Sequence, residues 1–320
     1  MSAAVRIGTR ASELALRQAR QVQSALAARG VVAELVAYTT VGDRRLDVAL
    51  TAIGGKGLFT KELEDDLLAG RVDCCVHSLK DLPTDSPPGL EVVAQLERED
   101  PRDALVLGPS LAGRVAAIAE LPAGARVGTS SLRRRAQLLA ARPDLEVREL
   151  RGNVPTRLRK VDEGEVDAAI LAAAGLHRLD RADRVGSYLD APEWLPAAGQ
   201  GAIAVQVRSA NATMRALLVS LDHAPTTAAT RAERAFLAAL EGGCQVPIGA
   251  LAVAAGAGMR LHGLVASVAG DRAVRGSCAL DPRAPERAGE ALAADLRARG
   301  AAEILAAVRD AVHVPAPQPE

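Results

Sequence analysis

The chain has 320 residues with 39 acidic and 39 basic side chains, enough for two or three cores and no net charge. That balance argues against a general nucleic-acid binder, which is basic overall, and no run of about 18 apolar residues offers a membrane span. No secretory apolar segment follows Met1, and the four cysteines have neither disulfide-framework nor metal-ligand spacing. A cytoplasmic protein without a metal is therefore expected. Lys56, Lys61, Lys80 and Lys160 are its only lysines, so arginine dominates the basic set. The abundance belongs to composition, and only the positions of the arginines carry information.

Arg6-Ile7-Gly8-Thr9 predicts a strand, a helix follows from about Ser12 with Ala15, Ala19, Val22 and Leu26 at helical spacing, and Val31 to Tyr38 predicts a second strand. In the intervening turn Gly8-Thr9-Arg10-Ala11-Ser12, free backbone N–H groups, the Ser12 hydroxyl and Arg10 can face an anion; a plain capped turn is the alternative. Val41 to Thr60 is polar and dotted with glycine, and a loop of that length predicts a lid, with a disordered insertion as the alternative. Its Gly54-Gly55-Lys56-Gly57-Leu58-Phe59 run is no nucleotide P-loop, because Leu50 and Gly57 stand where that pattern needs Gly and Ser or Thr.

Arg71 to Val76 predicts a buried strand with Cys74 and Cys75 on opposite faces, leading into His77-Ser78-Leu79-Lys80-Asp81-Leu82-Pro83. Polar groups at the carboxyl end of such a strand stand where α/β sheets bind ligands, although His77 itself reads as a core histidine. Strands at Leu90–Leu96 and Ala104–Leu107 flank a charged crossover, Arg98 to Asp103, suited to a hinge. A second α/β unit begins at Arg126-Val127-Gly128-Thr129-Ser130-Ser131-Leu132-Arg133-Arg134-Arg135, where cations at a helix start are poorly placed unless an anion joins them. Arg151-Gly152-Asn153-Val154-Pro155-Thr156-Arg157 is a third strand-to-helix turn with arginines. A strand at Val166–Leu171 continues into a helical stretch through Arg178.

After the proline break at Pro192 to Pro196, Gly199-Gln200-Gly201 predicts a turn before another strand, with helices at Asn211–Leu221 and Thr226–Leu240. Gly242 and Gly243 then precede Cys244 in a turn stiffened by Pro247, which presents a thiol; a buried cysteine after a capped helix is the alternative. Beyond it, Met259, Leu261, Gly263 and Val265, and again Val274, Gly276, Cys278 and Leu280, alternate as strand faces. Helices from about Pro285 to Arg299 and from Ala302 to Val312 complete an α+β unit, and 314–320 reads as a frayed tail.

The ordered motifs GTR-x-S-x-LA, GGKGLF-x-KELE, VHS-x-KD-x-P, REDPRDA, GTSSLRR, RGN, GQGA and GGCQVPIG span nearly the whole chain, which closely resembles the porphobilinogen deaminase (hydroxymethylbilane synthase) family. The resemblance implies two periplasmic-binding-protein-like (type II) α/β domains around a cleft, plus a smaller α+β C-terminal domain. The implied boundaries are residues 1–100 with 199–219, 101–198, and 220–320. It further implies a dipyrromethane cofactor on Cys244 through a thioether and a monomer acting on porphobilinogen and linear oligopyrroles, with Asp81 as the catalytic aspartate. Lys80, Ser130, Arg133 and Arg134 would bind the cofactor, Arg10, Ser12, Arg151, Arg157 and Arg178 the substrate carboxylates, and Lys56 and Phe59 would belong to the lid.

Among arginines, Asp81 is better suited to stabilise cationic charge than to donate a proton. Pro155 stands where many relatives have glycine, which puts the neighbouring carboxylate turn in question, and Gln206 stands where glutamate is expected. Two other classes compete with this reading. One is a non-catalytic anion-binding module of solute-binding fold, which has no use for Cys244 or the lid. The other is a cysteine hydrolase pairing Cys244 with His77, His223 or His262, for which no spacing speaks.

Overall fold

The computed structural model describes residues 4–40, 60–241, 246–256 and 258–312. Cys244, Lys56, Phe59, the stretch 41–59 read as a lid and the tail 313–320 lie outside the described residues.

Strands β1 (Val5–Arg10) and β2 (Ala33–Tyr38) pair in parallel, joined by helix α1 (Glu13–Ala27). Ala19, Val22 and Leu26 recur on one face of α1 and are fully buried against the sheet. Ser12 caps this helix by accepting from the Ala15 backbone N–H. Helix α2 (Lys61–Leu68), β3 (Cys74–Ser78), β4 (Leu90–Gln95) and the much later β10 (Ile203–Arg208) complete a five-stranded sheet of order β2-β1-β3-β10-β4. Cys74 and Cys75 lie in different apolar clusters, on opposite faces of β3 as the strand alternation requires.

A second sheet contains β5 (Asp103–Leu107), β6 (Arg126–Gly128), β7 (Glu146–Arg148), β8 (Ala168–Ala172) and β9 (Ser187–Leu189) in the order β7-β6-β8-β5-β9. Helices α3 (Leu132–Ala141), α4 (Val154–Asp162) and α5 (Ala173–Arg178) alternate with its strands. The two sheets share one plan. Three parallel strands are followed by an antiparallel fourth, and that fourth strand is reached through a crossover, 96–102 for β5 and 199–202 for β10. This is the paired α/β architecture expected from the resemblance, and it brings both crossovers together between the lobes.

The crossovers are pinned by backbone geometry. Gly201 has φ +88°, and a Cβ there would lie 2.4 Å from the Glu99 carbonyl oxygen, so the close approach requires glycine. Arg98 donates from Nε to the Gln200 carbonyl and from both terminal nitrogens to Glu233, at 2.7 and 3.0 Å.

Helices α6 (Ala212–Leu218) and α7 (Ala224–Ala239) lead into an antiparallel sheet, β11 (Ile248–Ala255), β12 (Gly258–Ala266) and β13 (Ala273–Leu280), backed by α8 (Pro285–Leu296) and α9 (Ala302–Val312). β11 is a strand that the sequence pattern does not show. Leu261, Val265 and Leu280 pack with Phe236, Leu292 and Leu296, while Met259, Val274 and Cys278 are partly buried on the same face. Gly263 sits in this face because a Cβ would lie 2.6 Å from the Phe236 ring. The opposite face, through Leu251 and Leu264, packs on Ala136 of α3 and on Leu195. Fully buried Glu233 of α7 binds Arg98, the Gly199 N–H and the Ala252 N–H, so one carboxylate ties the third unit to both crossovers.

Candidate active site

β3 ends in one 3₁₀ turn, Leu79–Asp81, at the carboxyl edge of the first sheet. Its entry is held by the opposing crossover: the Leu79 N–H donates to the Ala202 carbonyl at 3.0 Å, and Gly199 leaves room for the Leu79 side chain. Lys80 donates from Nζ to Gln200 Oε1 at 3.3 Å. The Gln200 amide in turn donates to the Pro101 carbonyl and to Asp103 Oδ1, both at 2.8 Å. Gln200 thus connects the turn carrying Asp81 to the start of β5.

Asp103 is the centre of the opposite wall. It is fully buried, and its carboxylate accepts from Arg133 Nη1 (2.7 Å), Arg134 Nη2 (2.7 Å), Arg134 Nε (3.1 Å) and Trp194 Nε1 (2.9 Å). Burial pushes its carboxyl up, but Arg133 and Arg134 outweigh that and hold it well below the usual carboxylate range. Two arginines at this helix start call for an anion beside them. The structure supplies one from within the chain, and a ligand is not required to make the helix start tolerable. Burial lowers the pKa of Arg133 despite its carboxylate partner.

Ser131 caps α3, while Ser130 donates from Oγ to the Leu150 carbonyl at 2.8 Å and ties this turn to the next. There Asn153 caps α4 and Pro155 occupies the first helical turn, where its missing N–H costs nothing. Pro155 is therefore accommodated without distorting the turn. Arg157 donates from Nε to the Gly152 carbonyl at 2.8 Å, and Arg151 lies 3.9 Å from Glu149. Gly152 (φ +114°) is required, since a Cβ would meet Thr156 at 2.7 Å.

Buried Arg178 of α5 donates to the Gly201 carbonyl at 2.7 Å, and its Nε has no hydrogen-bond partner among the described residues. Arg17 of α1 pairs with Asp180 at 2.8 Å, an ion pair that joins α1 to the segment following α5.

Lys80, Asp81, Asp103, Arg133, Arg134, Arg151 and Arg157 share one electrostatic field. Desolvation pushes Lys80 down to about 8; Asp81 and Asp103 oppose that shift, and Arg134 and Arg133 add to it. Arg157 is pushed down to about 10, mainly by burial and by Arg134, against the opposing pull of Asp81. Among the described residues no hydrogen bond or ion pair holds the Asp81 carboxylate. An excess of cations surrounds one uncommitted carboxylate.

His77, by contrast, is buried away from this chemistry. Its Nε2 lies 3.2 Å from Gln206 Oε1, and burial pushes it down to about 4. Gln206 passes the link to Glu64 through its amide nitrogen at 3.2 Å. The glutamine fits as a neutral bridge between a neutral imidazole and a carboxylate.

The family model described as "Porphobilinogen deaminase, dipyromethane cofactor binding domain" matches residues 5–216, and "Porphobilinogen deaminase, C-terminal domain" matches residues 226–298. The chain belongs to the porphobilinogen deaminase family. Porphobilinogen deaminase of Moorella thermoacetica is 51% identical over 307 residues, covering 95% of this chain and 96% of that protein. The Geobacter metallireducens porphobilinogen deaminase is 49% identical over 306 residues, covering 95% and 94%. Among solved structures, a periplasmic substrate-binding protein of an ABC transporter from Coxiella burnetii matches with TM-score 0.42 and 17% identity, over 69% of this chain and 93% of that one.

The site also contains residues for which the sequence reading of this porphobilinogen deaminase family member had no role. Asp103 belongs to the charged crossover and the REDPRDA run, Gln200 to the GQGA run, and Glu233 and Arg234 to the helix leading to the GGCQVPIG segment, none with a role of its own. The donors fit the family's cofactor. A dipyrromethane carries several carboxylates, and Lys80, Arg151 and Arg157, with the unpartnered Arg178 Nε, offer cationic donors on both walls.

The lowered pKa of Lys80 predicts a pH-dependent affinity for carboxylates. Its folded pKa of about 8 lies below the ordinary lysine value of 10.5, so burying the charge costs stability below pH 8, and the cost is relieved as pH rises from 8 toward 10.5. Carboxylate binding runs the other way, because Lys80 loses its charge over that range. The expected result is that assembly of the dipyrromethane on the apoprotein, followed by intact mass, slows about tenfold by pH 9 relative to Lys80→Arg, which stays charged. Parallel assembly-rate profiles for the two proteins over pH 7 to 9.5 would remove Lys80 from binding the cofactor carboxylates.

Proposed function

We propose that this chain is a hydroxymethylbilane synthase, condensing four porphobilinogens head to tail with loss of ammonia and releasing the linear tetrapyrrole by hydrolysis. The observation that carries this reading is Asp81 itself, a carboxylate without a hydrogen-bonded partner among the described residues, set in a field of Lys80, Arg134, Arg151 and Arg157. Dipyrromethane bound through Cys244 supplies the pyrrole from which the chain is extended. Each porphobilinogen adds an acetate and a propionate, so arginines on two walls are what a lengthening polyanion needs. Arg10, Ser12, Arg151, Arg157 and Arg178 serve the substrate carboxylates, and Lys80, Ser130, Arg133 and Arg134 the cofactor. Arg133 and Arg134 do so from positions already set by Asp103, which leaves Lys80 and Ser130 on the cleft side. Asp81 accepts pyrrole N–H groups and stabilises the cation left on the substrate ring when ammonia departs.

The shared sheet plan supports a discontinuous first domain of residues 1–100 with 199–219, a second of 101–198 and a third of 220–320. We place the chain in the cytoplasm as a monomer, the latter favoured by the small number of exposed large apolar side chains among the described residues, Val32, Leu68 and Val219.

Intact-mass measurement tests the covalent part: the purified protein is expected to carry a dipyrrole-sized adduct that Cys244→Ser lacks. Incubation with porphobilinogen is expected to release four ammonia per tetrapyrrole. Full activity from a chain whose Cys244 is unmodified would sink the proposal. A chain that binds porphobilinogen without releasing ammonia would point to the solute-binding alternative.

A further inference from the structure

Among the described residues Asp81 has no side-chain partner to hold it, and its position there depends on the backbone of its turn. The entry of that turn is fixed by Leu79 against Ala202 and Gly199. Its exit runs through Leu82-Pro83-Thr84, where the Leu82 N–H is spent on the Leu79 carbonyl and Pro83 has no N–H to give. Among the described residues no backbone N–H donates to the three carbonyls of this exit. A single side chain from another unit does. Arg234 of α7 donates from Nη1 to the Leu82 carbonyl (3.2 Å) and from Nη2 to those of Pro83 (2.5 Å) and Thr84 (3.0 Å).

Three consecutive carbonyls on one planar guanidinium define the path of the exit, in a way that a lone flexible ammonium does not. The side chain is half-buried, and desolvation lowers its pKa, the carboxylate of Asp85 opposing. Arg234 follows directly on Glu233, which binds Arg98 and the Gly199 N–H at the crossovers. Two adjacent residues of α7 therefore brace both ends of the Asp81 turn, Glu233 through the glycine behind Leu79 and Arg234 through the carbonyls beyond Asp81. The same helix runs on toward Cys244.

We infer that Arg234 is a positioning residue for Asp81, coupling the unit that carries Cys244 to the turn that carries the catalytic carboxylate. The inference rests on the role given to Asp81 in the proposed function. It is tested by a double-mutant cycle in the cofactor-loaded enzyme. Arg234→Gln is expected to lower kcat about tenfold or more with KM changed less than about threefold, and to add no further loss in an Asp81→Asn background. Arg234→Lys, which keeps the charge and can still reach one carbonyl, is expected to recover part of the loss. Amide exchange in peptides covering Leu79 to Thr84 is expected to quicken in Arg234→Gln while the β12–β13 peptides stay unchanged.

If Arg234→Gln does not fold, the same cycle is run with Arg234→Lys. Multiplicative losses in the cycle, or normal kcat in a folded Arg234→Gln, would overturn the positioning role and leave Asp81 untouched. Normal turnover of Asp81→Asn alone would instead overturn the role of Asp81 on which the inference depends.

Discussion

Asp81→Asn is expected to lower kcat by about 10²-fold or more while leaving KM for porphobilinogen unchanged or reduced. The two parameters separate because the carboxylate does two opposed things. In the proposed mechanism it stabilises the cation formed as ammonia leaves, so its removal is expected to raise the barrier to turnover. It also offsets the positive field of Lys80 and Arg157, both of whose pKa values it raises, so its removal makes the cleft more attractive to substrate carboxylates. Asparagine keeps the size and most of the hydrogen-bonding reach of the side chain, so the fold is retained. Steady-state kinetics with circular dichroism on the same preparation checks this. A variant with near-normal kcat would take Asp81 out of the mechanism, and one with a raised KM and normal kcat would make it a binding residue only.

What the sequence shows of this site depends on the range of the interaction. Short-range features are legible: Ser12, Ser131 and Asn153 stand at helix starts and cap them, and the small residues of β12 and β13 mark the face that α7 and α8 approach. Pro155 looks disruptive in a turn but is harmless one position later, inside the first turn of a helix, a distinction that depends on where the helix begins. β11 escapes notice because Ile248–Ala255 is almost uniformly small and apolar, buried on both faces for most of its length, and so does not alternate.

The partnership of Asp103 with Arg133 and Arg134 is illegible for another reason. It spans some thirty positions and exists because β5 enters the second sheet antiparallel to β8, which sets its first residue beside the start of α3. The grip of Arg234 on the Asp81 turn spans still more chain and involves only backbone acceptors, which leave no mark in a sequence.

Asp103→Asn is expected to destabilise the second lobe by about 3–5 kcal/mol, because it leaves two buried guanidinium groups without their counter-charge. The amide can still accept a hydrogen bond from Trp194, so the loss measured is chiefly that of the charge. Trp194→Phe, which removes only that hydrogen bond, sets the scale for a neutral contact and is expected to cost nearer 1 kcal/mol. The sign with pH follows from the depressed carboxyl of Asp103. Its contribution is complete above the unfolded carboxylate value near 4 and declines progressively as pH falls from there toward the far lower folded value, so the gap between wild type and Asp103→Asn begins to narrow at pH 3.5.

The cofactor adds a second signature. Its carboxylates can lend the arginines part of the missing charge, so the penalty is expected to be larger in a Cys244→Ser background, which lacks the adduct, than in the loaded enzyme. Urea unfolding of the four proteins, at pH 7 and at pH 3.5, measures both effects from midpoints at constant m. A midpoint for Asp103→Asn indistinguishable from wild type at pH 7 would mean that Arg133 and Arg134 find other partners. A penalty independent of the adduct would place those two arginines in the architecture of the lobe and outside the binding of the cofactor.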